Sequence, residues 1–298
     1  MEIVRLICGP SWYIEKSKRN AITSGHCNKI SEDSVPPNVR VIYILPIDAE
    51  PWSEAKLHAT QVLEDIQKFF RDEMERCGYG LKSFEIATNE NSLVFHQIIS
   101  GLKKIDFETK YWNNCKNAAQ DHSLRDTPNI ARVTLYFYEA YAIIDGRVTH
   151  AGARGWARGK GGEAFLSSLH LKMAKREWIG NDDGYEGKVF DWISPEPMKS
   201  STLSWNGRGR SLGDVSGSGF GTVAHELGHC FGLNDDKVDR KNRQGSLMGN
   251  GFRGMRGYFR PDLTDDFCVL REKDTAILNT SDFFAIRKLG PKSNARRR

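Results

Sequence analysis

Residues 39–46 (Val-Arg-Val-Ile-Tyr-Ile-Leu-Pro) form an almost unbroken run of β-branched and aromatic side chains, the pattern of a buried strand. The period then lengthens to that of a helix. Leu57, Val62, Leu63, Ile66, Phe69, Phe70 and Met74 recur at helical spacing between a cap at Ser53 and Gly78. Such a stripe is core, not a binding surface. Residues 83–87 read as a second short strand, 94–102 as a helix and 132–139 as a third strand. Strand, helix, strand in that order predicts an α/β (α+β) fold, a twisted and mostly parallel sheet backed by helices. Residues 152–158 alternate, with Arg154, Trp156 and Arg158 on one face, and run into Gly159-Lys-Gly-Gly162. A glycine-rich, charged strand is a poor central strand and a good edge. Residues 164–171 make a fifth strand, 213–221 a small and flexible lead-in, and Thr264 or Asp265 starts a helical region through Leu278.

The chemistry concentrates in residues 222–235 (Thr-Val-Ala-His-Glu-Leu-Gly-His-Cys-Phe-Gly-Leu-Asn-Asp). His225 and His229 lie one helical turn apart, so both imidazoles project from one face and can grip a single zinc ion. Glu226 points beside that ion, where a base for its water belongs. Val223, Ala224, Leu227 and Phe231 supply an apolar backing. Gly232 suits the left-handed conformation that ends a helix, and the turn returns Asp235, or else Asp236, as a third ligand. Two histidines and a carboxylate leave one position open for water, the catalytic pattern.

The array His225-Glu226-x-x-His229-x-x-Gly232-x-x-Asp235 resembles the extended zinc signature of the metzincin metallopeptidases, in the snapalysin-like variant with aspartate as third ligand. Ser246-Leu-Met248-Gly249 resembles the Met-turn of that family, whose methionine lies under the metal. The resemblance implies a mostly parallel five-stranded sheet with an antiparallel edge strand, a backing helix, an active-site helix at about 219–231, a Met-turn at about 246–249 and a C-terminal helix. It also implies one catalytic Zn2+ and a zinc-dependent endopeptidase in which Glu226 is the general base. An extended peptide or protein substrate would lie along the edge strand near 152–158. The aspartate ligand departs from the usual third histidine, and Asn250 stands where some members carry a tyrosine. Residues 250–260 mix glycine, aromatics and arginine and are expected to wall the cleft, with Tyr258 a candidate to steady a developing oxyanion.

Other chemistry fits less well. A thermolysin-like third ligand would be a downstream glutamate, and none occurs between Glu226 and Glu272. His150 and His170 lie in strand-like stretches and read as ordinary histidines, Cys8 as a small residue and 181–184 as a surface turn. The net charge of +5 comes from 43 basic and 38 acidic residues mixed along the chain, which does not predict nucleic acid. Six scattered cysteines form no Cys-x-x-Cys pair. No stretch is long enough to span a membrane, and the first eight residues lack the marks of a secretory signal. The expected organisation is an N-terminal arm (1–37), a catalytic domain (38–290) and a basic tail (291–298). A non-catalytic zinc-containing interaction or polyanion-binding protein, or a zinc amidase on a non-protein substrate, are the alternatives.

Overall fold

Strand β1 (Asn38–Pro46) is buried along nearly its whole length: it has a parallel neighbour on each side and a hydrophobic cluster on each face. The computed structural model describes residues 36–126, 129–144, 147–149, 151–182, 211–236, 245–263 and 266–285, all in the unit Val35–Arg298. The rest of the arm (1–35), His150, all of 183–210, residues 237–244, the expected helix start at Thr264 or Asp265, and the tail from 286 on lie outside the described residues. After β1 the chain forms helix α1 (Ala55–Arg76), a small hairpin of β2 (Thr88–Asn89) and β3 (Ser92–Leu93), and strand β4 (Phe95–Ser100). Helix α2 (Tyr111–Asp121), strand β5 (Arg132–Tyr138) and a second hairpin, β6 (Ala142–Ile144) with β7 (Arg147–Thr149), follow. Then come β8 (Ala153–Arg158), β9 (Gly161–Ser167), α3 (Ser168–Met173), α4 (Leu212–Cys230), α5 (Arg256–Phe259) and α6 (Glu272–Thr280).

The main sheet has the order β4-β1-β5-β9-β8. All its pairings are parallel except β8 against β9, so β8 is the antiparallel edge that the sequence pattern predicts. Alternate residues divide between two cores. Val39, Val41, Tyr43, Val133, Leu135, Phe137, Ala164 and Leu166 pack against α1 and α4, while Ile42, Ile44, Tyr136, Tyr138 and Phe165 pack under α2. Both faces of the central strands are covered, which is why their sequences are continuously apolar.

Several expectations need correction. Residues 94–102 contain strand β4 and not a helix: the adjacent Ile98 and Ile99 suit either form, and the ladder to β1 decides, leaving Ile98 buried and Ile99 exposed. Residues 83–87 make only one bridge, Ile86 to Val39. Helix α1 is capped at Glu54 without a side-chain bond, not by Ser53, and Leu57 faces solvent. The fifth strand stops at Ser167, whose hydroxyl caps α3, so His170 is helical. The C-terminal helix begins only at Glu272; residues 266–271 are not helical, and Val269 bridges Ser246.

The largest difference concerns 213–221, which is the first half of α4 and not a flexible lead-in. Ser211 and Asp214 form a reciprocal capping box at its start. Arg256 closes over that end, donating to Ser211 Oγ (3.1 Å) and Asp214 Oδ1 (3.4 Å). Glycine is tolerated here because other backbone takes the space of a side chain. A Cβ on Gly221 would lie 1.7 Å from the Phe252 carbonyl, and one on Gly219 would lie 2.6 Å from Ala174 N. The closeness gained outweighs the intrinsic helix cost of about 1 kcal/mol per glycine. Gly221→Ala is therefore expected to lower Tm by roughly 3–10 °C, as overpacking does; an unchanged thermal unfolding curve would contradict this packing.

Candidate metal centre

Helix α4 ends in a Schellman motif. Gly232 takes φ +92, its N–H donates to His229 O (3.0 Å), and Leu233 N–H donates to Gly228 O (3.0 Å). The reversal brings residues 233–236 back along the last turn. Leu233 O then lies 2.9 Å from His229 Nδ1, and Leu247 O lies 2.8 Å from His225 Nδ1. A carbonyl can only accept, so each Nδ1 carries a proton, and in the neutral imidazole each Nε2 keeps its lone pair.

Those two Nε2 atoms face one carboxylate. Asp235 Oδ1 lies 3.5 Å from His225 Nε2 and 3.4 Å from His229 Nε2, and the three donor atoms lie within 4.8 Å of one another. Burial, and then the neighbouring His229, hold the His225 imidazole down at about 4, so it is neutral near pH 7. Three acceptors pointing at one spot repel one another unless a cation lies between them. The donor set, two nitrogens and one oxygen, suits zinc. Side-chain exposure rises from 12% at His225 and 19% at His229 to 54% at Asp235, so the group opens to solvent on the aspartate side.

Of the two aspartates, only Asp235 joins the group. Asp236 is buried and points to Arg271 (2.7 Å) and Lys273 (3.5 Å), while its N–H donates to Met248 O (2.7 Å). That bond fastens the segment carrying Asp235 to the turn at Ser246–Gly249. The turn closes through Gly249 N–H to Ser246 O (2.9 Å), and a Cβ on Gly228 would meet Met248 Sδ at 2.5 Å. Met248 thus packs under the histidine-bearing turn of α4, and Leu247 orients His225.

Glu226 sits on the other flank, 7% exposed. A Cβ on Gly155 of the edge strand would lie 2.3 Å from Glu226 O, so β8 presses on the helix there. Burial raises the Glu226 carboxyl to about 7 against a lowering hydrogen bond from Gly155; Asp235 raises it further and Arg154 lowers it. Tyr111, at the start of α2, is also raised, by burial first and then by the charge of Glu226. Neither Gly155 nor Tyr111 is singled out by the sequence. Gly155 could have been suspected as a strand residue that leaves room for a neighbouring backbone. Tyr111 carries no signal, since only the fold brings α2 to this end of the sheet.

Other predicted residues lie elsewhere. Tyr258 is committed to α1, donating to Asp72 (2.7 Å) and accepting from Lys68 (3.1 Å), so it is not brought in as an oxyanion donor. Asn250 is buried and accepts from Arg253 (2.5 Å). Phe252, from the expected cleft wall, does reach the site, with its ring 4.9 Å from that of His225. His170 lies 3.2 Å from Ala151 O and stands outside the donor group. Cys230 is a buried thiol against Gly162.

The sequence matches no family model and no curated protein. Among solved structures, the chain is similar to catalytically inactive OgpA from Akkermansia muciniphila in complex with an O-glycopeptide substrate, glycodrosocin. The TM-score is 0.52 at 15% identity, over 84% of this chain and 62% of that one. Wild-type OgpA aligns with a TM-score of 0.51 at 15% identity, over 90% of this chain and 67% of that one. The chain thus spans about two thirds of OgpA and shares its fold. Archaemetzincin from Methanopyrus kandleri aligns at a TM-score of 0.31 and 12% identity, over 80% and 93% of the two chains.

The two aspartates separate by experiment. After dialysis against zinc, Asp235→Ala is expected to stay folded and hold well under one equivalent. Asp236→Asn is expected to keep the metal and lose about 1–3 kcal/mol of stability. Metal analysis with the reverse outcome would show that the ligand is misassigned.

Proposed function

We propose that this chain is a zinc-dependent metalloendopeptidase of the metzincin type, with His225, His229 and Asp235 as metal ligands and Glu226 as general base. The observation that supports it most is the convergence of two histidine Nε2 atoms and one carboxylate beside a buried glutamate, at the edge of a sheet. A bound zinc ion would polarise a scissile carbonyl and acidify the attacking water. Glu226 takes the proton of that water and returns it to the leaving amine. Burial keeps this carboxyl basic enough to accept a proton near neutral pH, which a solvated glutamate does poorly.

The substrate would be an extended peptide. Among the described strands β8 pairs only with β9, so its outer side could align a chain by backbone hydrogen bonds. Gly155 in that strand touches Glu226, so a peptide laid along β8 passes the base. The likeness to OgpA, solved with a glycopeptide, agrees with a peptide substrate. A purely structural metal site would have no use for a buried glutamate beside it and would be closed on all sides.

A casein digest with and without chelator tests the activity. Glu226→Ala is expected to retain zinc and lose nearly all turnover, whereas His225→Ala loses the metal as well; parental turnover in Glu226→Ala would refute the mechanism. The base form of Glu226 is required, so kcat/KM falls as pH drops through its acid limb. A carboxylate ligand adds negative charge and weakens the acidifying power of the ion, which moves the optimum to the alkaline side. A pH-rate profile peaking in acid would contradict both.

A further inference from the structure

Arg154 stands on the edge strand next to Gly155, the residue that touches Glu226. Its guanidinium lies 5.2 Å from the ring centroid of Trp112 on α2 and 5.6 Å from that of Trp156 on its own strand. The second indole is in turn stacked on Phe165 (5.0 Å), so the support is part of the core. Two aromatic contacts restrict the rotamers of a long side chain before any ligand arrives, and they leave its N–H groups as the means of recognition.

The neighbouring cations are used differently. Arg158 pairs with Glu163 at 2.9 Å, and Lys116, over Trp156 at 4.5 Å, shares the same carboxylate at 3.5 Å. Arg154 is exposed, and among the described residues no carboxylate comes within ion-pair distance of it. An exposed arginine that rests on two aromatic rings, has no carboxylate partner among the described residues and stands one residue from the strand's contact with the base can receive a carboxylate through two parallel N–H groups.

Resting on the peptidase reading above, we propose that Arg154, supported by the rings of Trp112 and Trp156, is a specificity-determining residue that accepts an acidic side chain of the substrate close to the scissile bond.

The test uses the full chain with zinc and a set of quenched fluorescent peptides carrying Glu, Gln or Lys at each position around the cleaved bond. The parent is expected to favour Glu over Gln at one position by roughly five- to tenfold in kcat/KM, the scale of a partly solvated charge-assisted bond. In R154Q that ratio falls to near one. In R154E the preference turns to Lys, which loss of a merely structural clamp would not produce. In parallel, binding of the same peptides to the E226Q variant is followed by tryptophan fluorescence, and the Glu peptide is expected to bind several-fold tighter than the Gln peptide. A parent enzyme that cleaves all peptides alike, or an acidic preference that survives in R154E, overturns the subsite and leaves the peptidase reading standing. If nothing is cleaved, the peptidase reading fails by itself. Equal binding of Glu and Gln peptides, or no binding, then overturns the subsite too.

Discussion

Close backbone approach to helix α4 is the constraint on which the rest depends. The helix is crowded on several sides at distances that no side chain permits. Phe252 backbone stands against Gly221, Ala174 backbone against Gly219, the Met248 side chain against Gly228 and Glu226 backbone against Gly155 of the edge strand. Each contact fixes one component of the site. The first two seat the helix, the third sets the turn whose Leu247 carbonyl holds His225, and the last sets the edge strand against the candidate base. A helix packed through larger side chains, at the usual spacing of about 8–10 Å between axes, would separate these parts.

The local chemistry then follows from hydrogen-bond accounting. Both Nδ1 protons go to carbonyls freed by turns, one in the Schellman motif and one in the Ser246–Gly249 turn. That choice of tautomer points both lone pairs at Asp235. Asp236 supplies the opposing tether: its carboxylate is held by Arg271 and its N–H by Met248 O, so the segment after the helix cannot swing away without breaking a buried ion pair. The neighbouring aspartates thus divide the work, one exposed and facing the two histidines and one buried as an anchor.

Much of this is legible in the chain itself. The spacing of His225, Glu226, His229, Gly232 and Asp235 is set by the helical repeat and one left-handed residue, and both are local. The edge character of 152–158 follows from composition, and the core strands announce themselves by continuous apolarity. What fails is what depends on distant partners. Ile98 and Ile99 carry no period of their own until β1 offers a ladder, and the glycines of 213–221 look flexible until Phe252, Ala174 and Arg256 press on them. Tyr258 looks like a cleft residue by its position in sequence, but Asp72 and Lys68 on α1 capture its hydroxyl. Trp112 and Tyr111 reach the site only because α2 covers one face of the sheet, a long-range fact that no local pattern encodes.

The most direct test of the central claim is the anomalous scattering of a crystal grown with zinc. The account predicts one ion at about 2.0–2.2 Å from Nε2 of His225, Nε2 of His229 and a carboxylate oxygen of Asp235, with no fourth protein ligand. An ion bound elsewhere, or one whose last position is filled by another side chain of this protein, would contradict it.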